Sequence, residues 1–394
     1  MKILVVTSKY QPEYSGSGLR AHKTYVRLKQ KYKIKYDVVT SSLDYRGCNI
    51  YVYEDKLITR ISGIFRVSSF NGIFRRVVVW INLPFEIYGS YRYIRNRIDR
   101  YDILHTFGDS WAVGFFSWYF AHYNKPVIRE LCNEIESPYF PLPFKSLFKK
   151  IFRRDNMMMV AISPKLEFLA IQNSVKNIWQ RPNPVDEKKF NLEIRKKKLA
   201  LRIKFSPFSE SDIVLVYVAT FWRNKNQLFL LRVLSKLDKK FKLVLAGPVT
   251  PVHKSYFKKV LAEIDNLKLN DRVFIVDNFI NNPQEYIAMS DVYLFPSRHE
   301  GLGTPILEAQ ICGVPVVMNE MPGISDKWIN IGKAGYVCPL NVSDWIQGIE
   351  KAKLIEDYKL KENSDFIKSV AASNIIDEEY VKRFNNICIG IENA

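Results

Sequence analysis

Short apolar runs rich in β-branched residues alternate with longer amphipathic stretches along most of the chain. A continuous apolar run that ends in polar or glycine-bearing residues is typical of a strand buried on both faces of a parallel sheet. The amphipathic stretches predict helices that cover these sheets, so the pattern indicates the α/β class with doubly wound sheets in both halves. The runs are Met1–Thr7, Asp102–His105, Lys125–Leu131, Val160–Ser163, Ile213–Val218, Lys242–Pro248, Arg272–Phe279 and Asp291–Pro296.

Two domains are expected because 394 residues exceed the size at which a single core keeps growing, about 250–300 residues. The boundary is placed near Pro184, before the basic run Arg195–Lys198. This division gives a first domain over 1–185, a second over 186–365, and a final helix over 366–394 that packs back towards the first domain. In doubly wound sheets ligands bind beyond the carboxyl ends of the strands, so a site is expected in those loops.

One such loop carries two glutamates, Glu300 and Glu308, on either side of a glycine turn. Thr304 and Pro305 read as an N-cap and the first helical residue, so a helix is predicted to start there. The free N–H groups at a helix start, together with the helix dipole, attract an anion such as a phosphate. The two carboxylates can then accept from hydroxyls on either side of a bound diphosphate, which suggests a sugar nucleotide.

The same stretch resembles the family-4 retaining glycosyltransferases, whose pattern of two glutamates separated by seven residues is matched by Glu300 and Glu308. The surrounding family pieces are also present, as Pro296–Ser297, Glu300–Gly303, Pro305–Ala309 and Cys312–Val317. Weaker matches in the same order are the opening strand Met1–Thr7 with its glycine segment, and the segment from Pro182 to Phe190.

The resemblance implies a GT-B fold, in which two Rossmann-like domains face a cleft and a nucleoside-diphosphate sugar is the donor. It implies retention of the anomeric configuration, no cofactor and no metal, and the sequence offers no Asp-x-Asp segment for one. By the same resemblance Glu300 contacts the donor sugar, Glu308 holds the ribose, and Lys225 meets the donor phosphates. The family's usual arginine is replaced by Thr220, and Arg223 is the candidate substitute.

Further donor contacts are expected from backbone rather than from side chains. The candidates share a position in a loop or at a helix start beyond a strand, where the chain can approach a diphosphate or a base closely. They are Gly301, Leu302, Gly303, Thr304, Gly16, Gly18, Asn278 and Phe279.

Many family members carry a histidine just after the strand that corresponds to Pro126–Leu131, and this chain has none there. His105, at the end of the preceding predicted strand, is the nearest alternative, although a lone histidine is more often structural. Asn133 and Glu134 are the other candidates on the acceptor side. The usual histidine role is therefore left unassigned.

Other classes of protein fit less well. The segment Gly16–Ala21 formally fits the dinucleotide-binding pattern, but the strand near Val38 ends in Thr40–Ser42 without an acidic ribose ligand. A nucleic-acid-binding protein is suggested by the charge and the interleaved aromatic residues, but no helix-turn-helix, zinc-finger or RNP-like pattern is present. A nucleotide-sugar epimerase or a phosphorylase of the same fold stays open.

The net charge of +19 indicates an anionic partner. Eight arginines lie between Arg60 and Arg100 among many aromatic residues, and Lys145–Arg154 repeats the theme with helical spacing. Such segments suit the surface of an anionic membrane, which would present a glycan or lipid-linked glycan acceptor to the first domain.

Five widely spaced cysteines and the lack of a signal peptide or a long uncharged apolar run favour a reducing compartment. The expected location is the cytoplasm, peripheral on the inner face of the cell membrane. The expected role is in bacterial surface polysaccharide or lipopolysaccharide synthesis.

Overall fold

A computed structural model of the protein describes residues 1–13, 15–132, 150 and 154–392. The chain divides into two compact units. The first is formed by Met1–Arg181 together with Ile376–Ala394, and the second by Pro182–Ile375.

These boundaries differ from the expected ones on both sides of the second unit. The first division falls after Arg181 rather than at 185, because the Arg181 guanidinium is held by the buried carboxylate of Glu130 in the first unit. The second division falls at Ile376 rather than near 366. Residues around Ser364 stay with the second unit, where the Ser364 hydroxyl donates to the carbonyl of Ile311 at 2.7 Å.

The first unit contains strands β1 (Lys2–Thr7), β2 (Lys35–Thr40), β3 (Cys48–Tyr53), β4 (Lys56–Ile61), β5 (Ile103–Phe107), β6 (Val127–Leu131), β7 (Met157–Ala161) and β8 (Ile178–Gln180). Its helices are α1 (Gly16–Tyr32), α2 (Gly72–Ile94), α3 (Trp111–His122) and α4 (Pro164–Gln172), with short 3₁₀ turns at Val67–Ser69 and Ile98–Arg100. Across the described residues, these strands form one sheet in the order β3-β4-β2-β1-β5-β6-β7-β8.

The apolar run at the start of the chain forms the centre of this sheet. β1 pairs in parallel with β2 on one side and with β5 on the other, and Ile3 to Val6 are fully buried. The β3 and β4 pair is antiparallel and stands at one edge. The core beside the sheet includes Phe107 and Trp179, and it is completed by Tyr380 and Phe384 from the last helix.

The second unit contains strands β9 (Ile213–Val218), β10 (Phe241–Ala246), β11 (Val273–Val276), β12 (Val292–Phe295), β13 (Val316–Asn319) and β14 (Gly335–Cys338). The remaining helices are α5 (Leu192–Arg195), α6 (Lys198–Phe205), α7 (Gln227–Lys236), α8 (Lys254–Asn266), α9 (Pro283–Ala288), α10 (Thr304–Ile311), α11 (Ser325–Trp328), α12 (Val342–Ala352), α13 (Asp357–Ala371) and α14 (Ser373–Glu392). Short 3₁₀ turns lie at Arg223–Lys225 and Pro251–His253.

The second sheet runs in the order β11-β10-β9-β12-β13-β14, and its neighbouring strands pair in parallel. The strand order reverses between β9 and β12, which makes the carboxyl ends of these two strands the switch point where ligands of such sheets bind. Both predicted sheets are therefore present, and the prediction of two Rossmann-like α/β units is confirmed.

Two basic segments were predicted to meet a membrane. The one between Arg60 and Arg100 contains α2, whereas Lys145–Lys149 and Ile151–Arg153 of the other lie outside the described residues. Among the helices that the structure describes, none has the length and apolar character needed to cross a bilayer.

Candidate active site

The loop after β12 turns sharply into α10 at Gly303. Its backbone is left-handed, with φ 78° and ψ 57°, and a Cβ placed there would lie 2.8 Å from Cζ of Phe295. Glycine is therefore required at this turn by both conformation and space. The N-cap is Gly303 and not Thr304 as predicted, since the Thr304 hydroxyl accepts from the Asn183 side-chain amide at 2.7 Å.

A second loop, after β9, brings Lys225 to the loop that follows β12. The Lys225 ammonium donates to the Glu300 carboxylate, and the two side chains are 22% and 15% exposed. Because β9 and β12 are neighbours in the sheet, this ion pair lies at the switch point. Two residues that are 75 positions apart in sequence, and that the family pattern singles out separately, thus meet in one site.

Polar contacts hold the two loops together beside this ion pair. The Asn224 side-chain amide donates to the carbonyl of His299 at 2.8 Å, and the backbone N–H of Arg298 donates to the carbonyl of Asn224 at 2.9 Å. Asn226 has left-handed backbone geometry, with φ 60°, and its side-chain amide donates to the carbonyl of Pro296 at 3.3 Å. These residues fix the positions from which Lys225 and Glu300 act.

Glu308 lies in the second turn of α10. Tyr217 and Tyr293 are buried near the two glutamates of the motif. Burial raises the pKa of Tyr293, and the carboxylates of Glu308 and Glu300 raise it further. Burial likewise raises the pKa of Tyr217, followed by the charge of Glu300. The carboxylates of Glu300 and Glu308 therefore both lie close enough to Tyr293 to affect its hydroxyl.

Among the other predicted donor residues of this loop, Leu302 is buried, so its side chain belongs to the core and only its backbone is available to a ligand. Arg223 is exposed and lines a cavity of about 290 Å³ together with Trp222, Asn224 and Arg298. Arg298 was not singled out from the sequence. Its position in the Pro-Ser-Arg-His-Glu run, two residues before Glu300, was the available signal.

Asn278 and Phe279 follow β11, the edge strand of the second sheet. Asn278 helps to line a cavity of about 520 Å³ with residues of α6 and β11, and Phe279 is about half exposed. In sheet order, β11 stands two strands from β9. Their contact with a base stays a prediction.

Gly16 and Gly18 form the first turn of α1, whereas the sequence suggested a glycine loop ahead of the helix. Ser15 is the N-cap, and its hydroxyl accepts from the Gly18 N–H at 3.0 Å. A Cβ on Gly18 would lie 2.3 Å from the carbonyl oxygen of Lys9, so this glycine permits close packing of the helix start on the preceding loop.

His105 is completely buried in the first unit. Its Nδ1 contacts the Tyr25 hydroxyl at 2.7 Å and its Nε2 contacts the Glu130 carboxylate at 3.3 Å. Burial is the main cause that lowers the pKa of His105. Glu130 also accepts from Arg181 and Tyr380.

Burial alone would raise the pKa of Glu130. The charge of Arg181, followed by the hydrogen bond from His105, brings the pKa well below its usual range. His105 therefore belongs to a packed polar network, while the other acceptor-side candidates, Asn133 and Glu134, lie outside the described residues.

Comparison with known proteins agrees with this architecture. Residues 201–377 match the family model described as Glycosyl transferases group 1. The chain is 31% identical over 160 residues to N-acetyl-alpha-D-glucosaminyl L-malate synthase of Bacillus anthracis, which covers 39% of each chain. It is 35% identical over 103 residues to the capsular polysaccharide biosynthesis glycosyltransferase CapH of Staphylococcus aureus, covering 26% of this chain and 29% of the relative. The chain thus matches less than half the length of these curated relatives.

A structural comparison covers nearly the whole chain. The structure of Anabaena Alr3699/HepE in complex with UDP superposes with a TM-score of 0.74 over 98% of this chain and 100% of that one, at 15% sequence identity. At this identity the likeness establishes the fold. The fold of the chain is therefore the GT-B fold, and residues 201–377 carry its match to the glycosyl transferases group 1 family.

Proposed function

We propose that this protein transfers a sugar from a nucleoside-diphosphate sugar to a glycan or a lipid-linked glycan, with retention of the anomeric configuration. The observation that carries the proposal is the ion pair of Lys225 and Glu300 at the switch point of the second sheet, beside the start of α10. A cation, a carboxylate and the N–H groups of a helix start in one place suit a ligand that is part phosphate and part polyol.

In this proposal, different residues of the site contact different parts of the donor. The N–H groups at the start of α10 and the Lys225 ammonium would hold the diphosphate, because both present positive charge to it. Glu300 would accept from hydroxyls of the donor sugar, and Glu308, further along the helix, from the ribose. Arg223, exposed on the same loop as Lys225, would add positive charge.

In the proposed reaction the bond between the anomeric carbon and the phosphate oxygen breaks, and a bond to the acceptor oxygen forms on the same face. The acceptor hydroxyl gives its proton to the departing phosphate oxygen, so no side chain has to take it. The protein's work is then positioning and stabilisation of the charge on the leaving diphosphate, which Lys225 and the α10 N–H groups supply. In this proposal no metal is required, because these groups meet the diphosphate charge.

The proposed acceptor is presented at the cytoplasmic face of the membrane, and the proposed place of the reaction is in surface polysaccharide or lipopolysaccharide synthesis. The printed name of the Staphylococcus aureus relative, a glycosyltransferase of capsular polysaccharide biosynthesis, supports this class of product. The net charge of +19 supports a peripheral location on an anionic membrane.

The direct test is to follow thermal unfolding with each nucleoside diphosphate and then assay transfer. A diphosphate present at about 100 times its dissociation constant stabilises the protein by about 2.7 kcal/mol, so the correct base stands out. Release of free nucleoside diphosphate only when acceptor is added indicates a transferase. An epimerase instead returns a nucleotide sugar, and a phosphorylase consumes inorganic phosphate, so neither shows this dependence on acceptor. The anomeric configuration of the product, measured by NMR, tests retention.

A substitution at Lys225 tests the proposed charge stabilisation. Lys225→Ala is expected to lower turnover by about 100-fold or more, because one preorganised donor to developing charge is removed. Lys236→Ala, on the exposed far end of α7, is the matched control and should leave turnover unchanged. Turnover of Lys225→Ala within a few-fold of wild type would exclude Lys225 from the site.

A further inference from the structure

Helix α2 buries polar residues at the middle of its inward face, between Val78 and Ile94, and exposes a set of large apolar residues. The residues that it buries recur every fourth position, and they include Asn82, Glu86 and Ser90. Each of the three is at most 2% exposed. In a surface helix of a globular protein, the buried stripe is normally the apolar one. Because polar residues occupy much of the inward face of α2, many of the apolar side chains of this helix are exposed.

The outward face of α2 is a continuous apolar stripe. Ile73 and Phe74 are 77% and 73% exposed, and the stripe extends with helical spacing along the whole helix. Its members are Ile73, Phe74, Val77, Trp80, Ile81, Phe85, Tyr88 and Tyr91. An exposed apolar surface of this extent normally marks a site that is covered by something else.

The charged residues of α2 and its flanking segments indicate which kind of partner covers this apolar stripe. Between Ser62 and Ile98 the sequence has six arginines and a single acidic residue, Glu86, which is buried. Arg76, Arg92 and Arg95 are exposed, and none of them forms an ion pair with a carboxylate in the described part of the chain. The exposed surface of the helix is therefore apolar and cationic, with no anionic side chain.

Resting on the proposed function, we propose that the outward face of α2 lies in the interface of an anionic lipid bilayer, parallel to its surface. Apolar side chains enter the boundary between headgroups and acyl chains, and the arginines meet the anionic headgroups. Tryptophan and tyrosine, here Trp80, Tyr88 and Tyr91, are enriched at this depth because each has an apolar body and a polar group. At 23 residues the helix reaches about 34 Å along the surface.

A second copy of the chain suits this surface less well. Pairing two identical faces would bring their arginines together without an acidic residue of the helix to neutralise them, and like charges oppose association. An anionic bilayer supplies many negative headgroups and an apolar layer at the same time.

The test compares apolar substitutions on α2 with equally exposed ones elsewhere. The full chain is sedimented with vesicles of phosphatidylcholine, with and without phosphatidylglycerol. Wild type should bind only the phosphatidylglycerol vesicles, and Ile73→Gln/Phe74→Gln should lower the partition coefficient about tenfold or more. The matched control is Val252→Gln/Leu354→Gln, at 83% and 73% exposure in the second unit, which should bind like wild type.

A second pair tests the charges. Arg76→Gln/Arg95→Gln should lower binding about tenfold, whereas Lys239→Gln/Lys240→Gln, which removes the same charge from exposed positions of the second unit, should not. Binding of wild type should also fall at 1 M salt, where the Debye length is about 3 Å. Nucleoside diphosphate binding, measured on the same samples, should be unchanged in all four variants.

Three results overturn the proposal. The first is that wild type stays in the supernatant with phosphatidylglycerol vesicles at low salt. The second is that the α2 variants bind these vesicles as well as their controls do. A wild-type dimer that Ile73→Gln/Phe74→Gln converts to monomer shows that a second copy covers the face instead. None of these results affects the donor proposal as long as the protein binds nucleoside diphosphate. If wild type binds no nucleoside diphosphate, only the donor proposal is rejected.

Discussion

At the scale of single residues, the charges of Lys225 and Glu300 neutralise each other in the structure, so the proposed donor would have to compete for the Lys225 ammonium. A diphosphate that takes the Lys225 ammonium as its partner competes with the Glu300 carboxylate for it. In the proposed donor complex, the Glu300 carboxylate would then be available to accept from a sugar hydroxyl. Without a ligand, the ion pair holds the Lys225 ammonium at the switch point of the second sheet.

Substitution of the two glutamates is expected to separate donor binding from turnover. Glu308→Ala should weaken nucleoside diphosphate binding, because ribose contacts act equally in the ground and transition states. Glu300→Ala should chiefly lower turnover and leave nucleoside diphosphate affinity the same or higher, because it removes the competitor for Lys225. Calorimetric titration and steady-state kinetics of both variants measure the two effects. Equal losses of affinity and turnover in both would contradict the division of roles.

Much of the site at this scale is predictable, because the residues of the motif from Pro296 to Glu308 are contiguous in sequence. The contacts that hold the motif to the β9 loop are not, since Asn224 and Asn226 are ordinary loop residues until the fold brings their partners next to them. His105 shows the reverse. A histidine at a strand end suggests chemistry, but its burial against Tyr25 and Glu130 is visible only in three dimensions.

At the scale of elements, the start of α10 depends on the left-handed turn at Gly303. Gly303→Ala is expected to destabilise the protein by about 2 kcal/mol or more, from the left-handed backbone and the contact with the Phe295 ring. Gly47→Ala is the matched control, because Gly47 has φ 71° and a Cβ added there would meet nothing within 4 Å, so it should show the backbone cost alone. Urea unfolding of both variants measures the difference. Equal losses would mean that Phe295 yields without cost.

The inward face of α2 carries the buried carboxyl group of Glu86. Burial raises the pKa of Glu86 to about 8, and a hydrogen bond from the Ala112 backbone opposes the rise only in part. Because the pKa is raised on folding, the stability that this group contributes is fully present below its unfolded pKa of about 4.3. That stability is lost as the pH rises through about 8.

Glu86→Gln should therefore be as stable as wild type near pH 4 and more stable above pH 8, with the difference growing between these values. Urea unfolding from pH 4 to pH 9 measures the trend. Glu210→Gln, at an exposed position, is the control and should show no pH-dependent difference from wild type. A constant difference for Glu86→Gln across this range would contradict the raised pKa.

The central strands of both sheets could be predicted because buried parallel strands are continuous apolar runs, and β1 and β9 are the clearest cases. The more exposed or shorter strands β3, β4, β8 and β14 were not among the predicted runs. The faces of α2 could not be predicted from its pattern. Apolar periodicity indicates a helix, but the usual rule assigns the apolar stripe to the core, and here that stripe faces outward. The inversion becomes visible only when Asn82 is seen to contact both backbone groups of Phe65.

At the scale of the whole molecule, the first unit is completed by a helix that follows the second unit in sequence. Tyr380 of α14 is fully buried, and its hydroxyl contacts the Glu130 carboxylate and the Arg181 guanidinium. Its ring lies 4.9 Å from that of Trp179. The sequence suggested a final helix that returns to the first domain, but it could not show which polar network the helix enters.

Removal of this one hydroxyl should weaken the first unit. Tyr380→Phe is expected to cost about 1–3 kcal/mol, because a buried charged network loses a donor that no solvent replaces. Tyr358→Phe, at a position 61% exposed in the second unit, should change stability by less than about 0.5 kcal/mol. Urea unfolding of both proteins measures the costs, and an unchanged midpoint for Tyr380→Phe would show that the hydroxyl is dispensable.

The second unit is, along the chain, an insertion into the first. The points where the chain enters and leaves it lie side by side, since the Val185 N–H donates to the carbonyl of Ala371 and the Ser373 N–H donates to the carbonyl of Val185, both at 2.8 Å. During synthesis, therefore, every residue of the second unit leaves the ribosome before the first unit is complete. Domains usually fold in the order in which they are made. In the nascent first unit, Trp179 therefore stays uncovered until Tyr380 and Phe384 are synthesised. The second unit, whose synthesis starts later, is thus the first of the two to be complete.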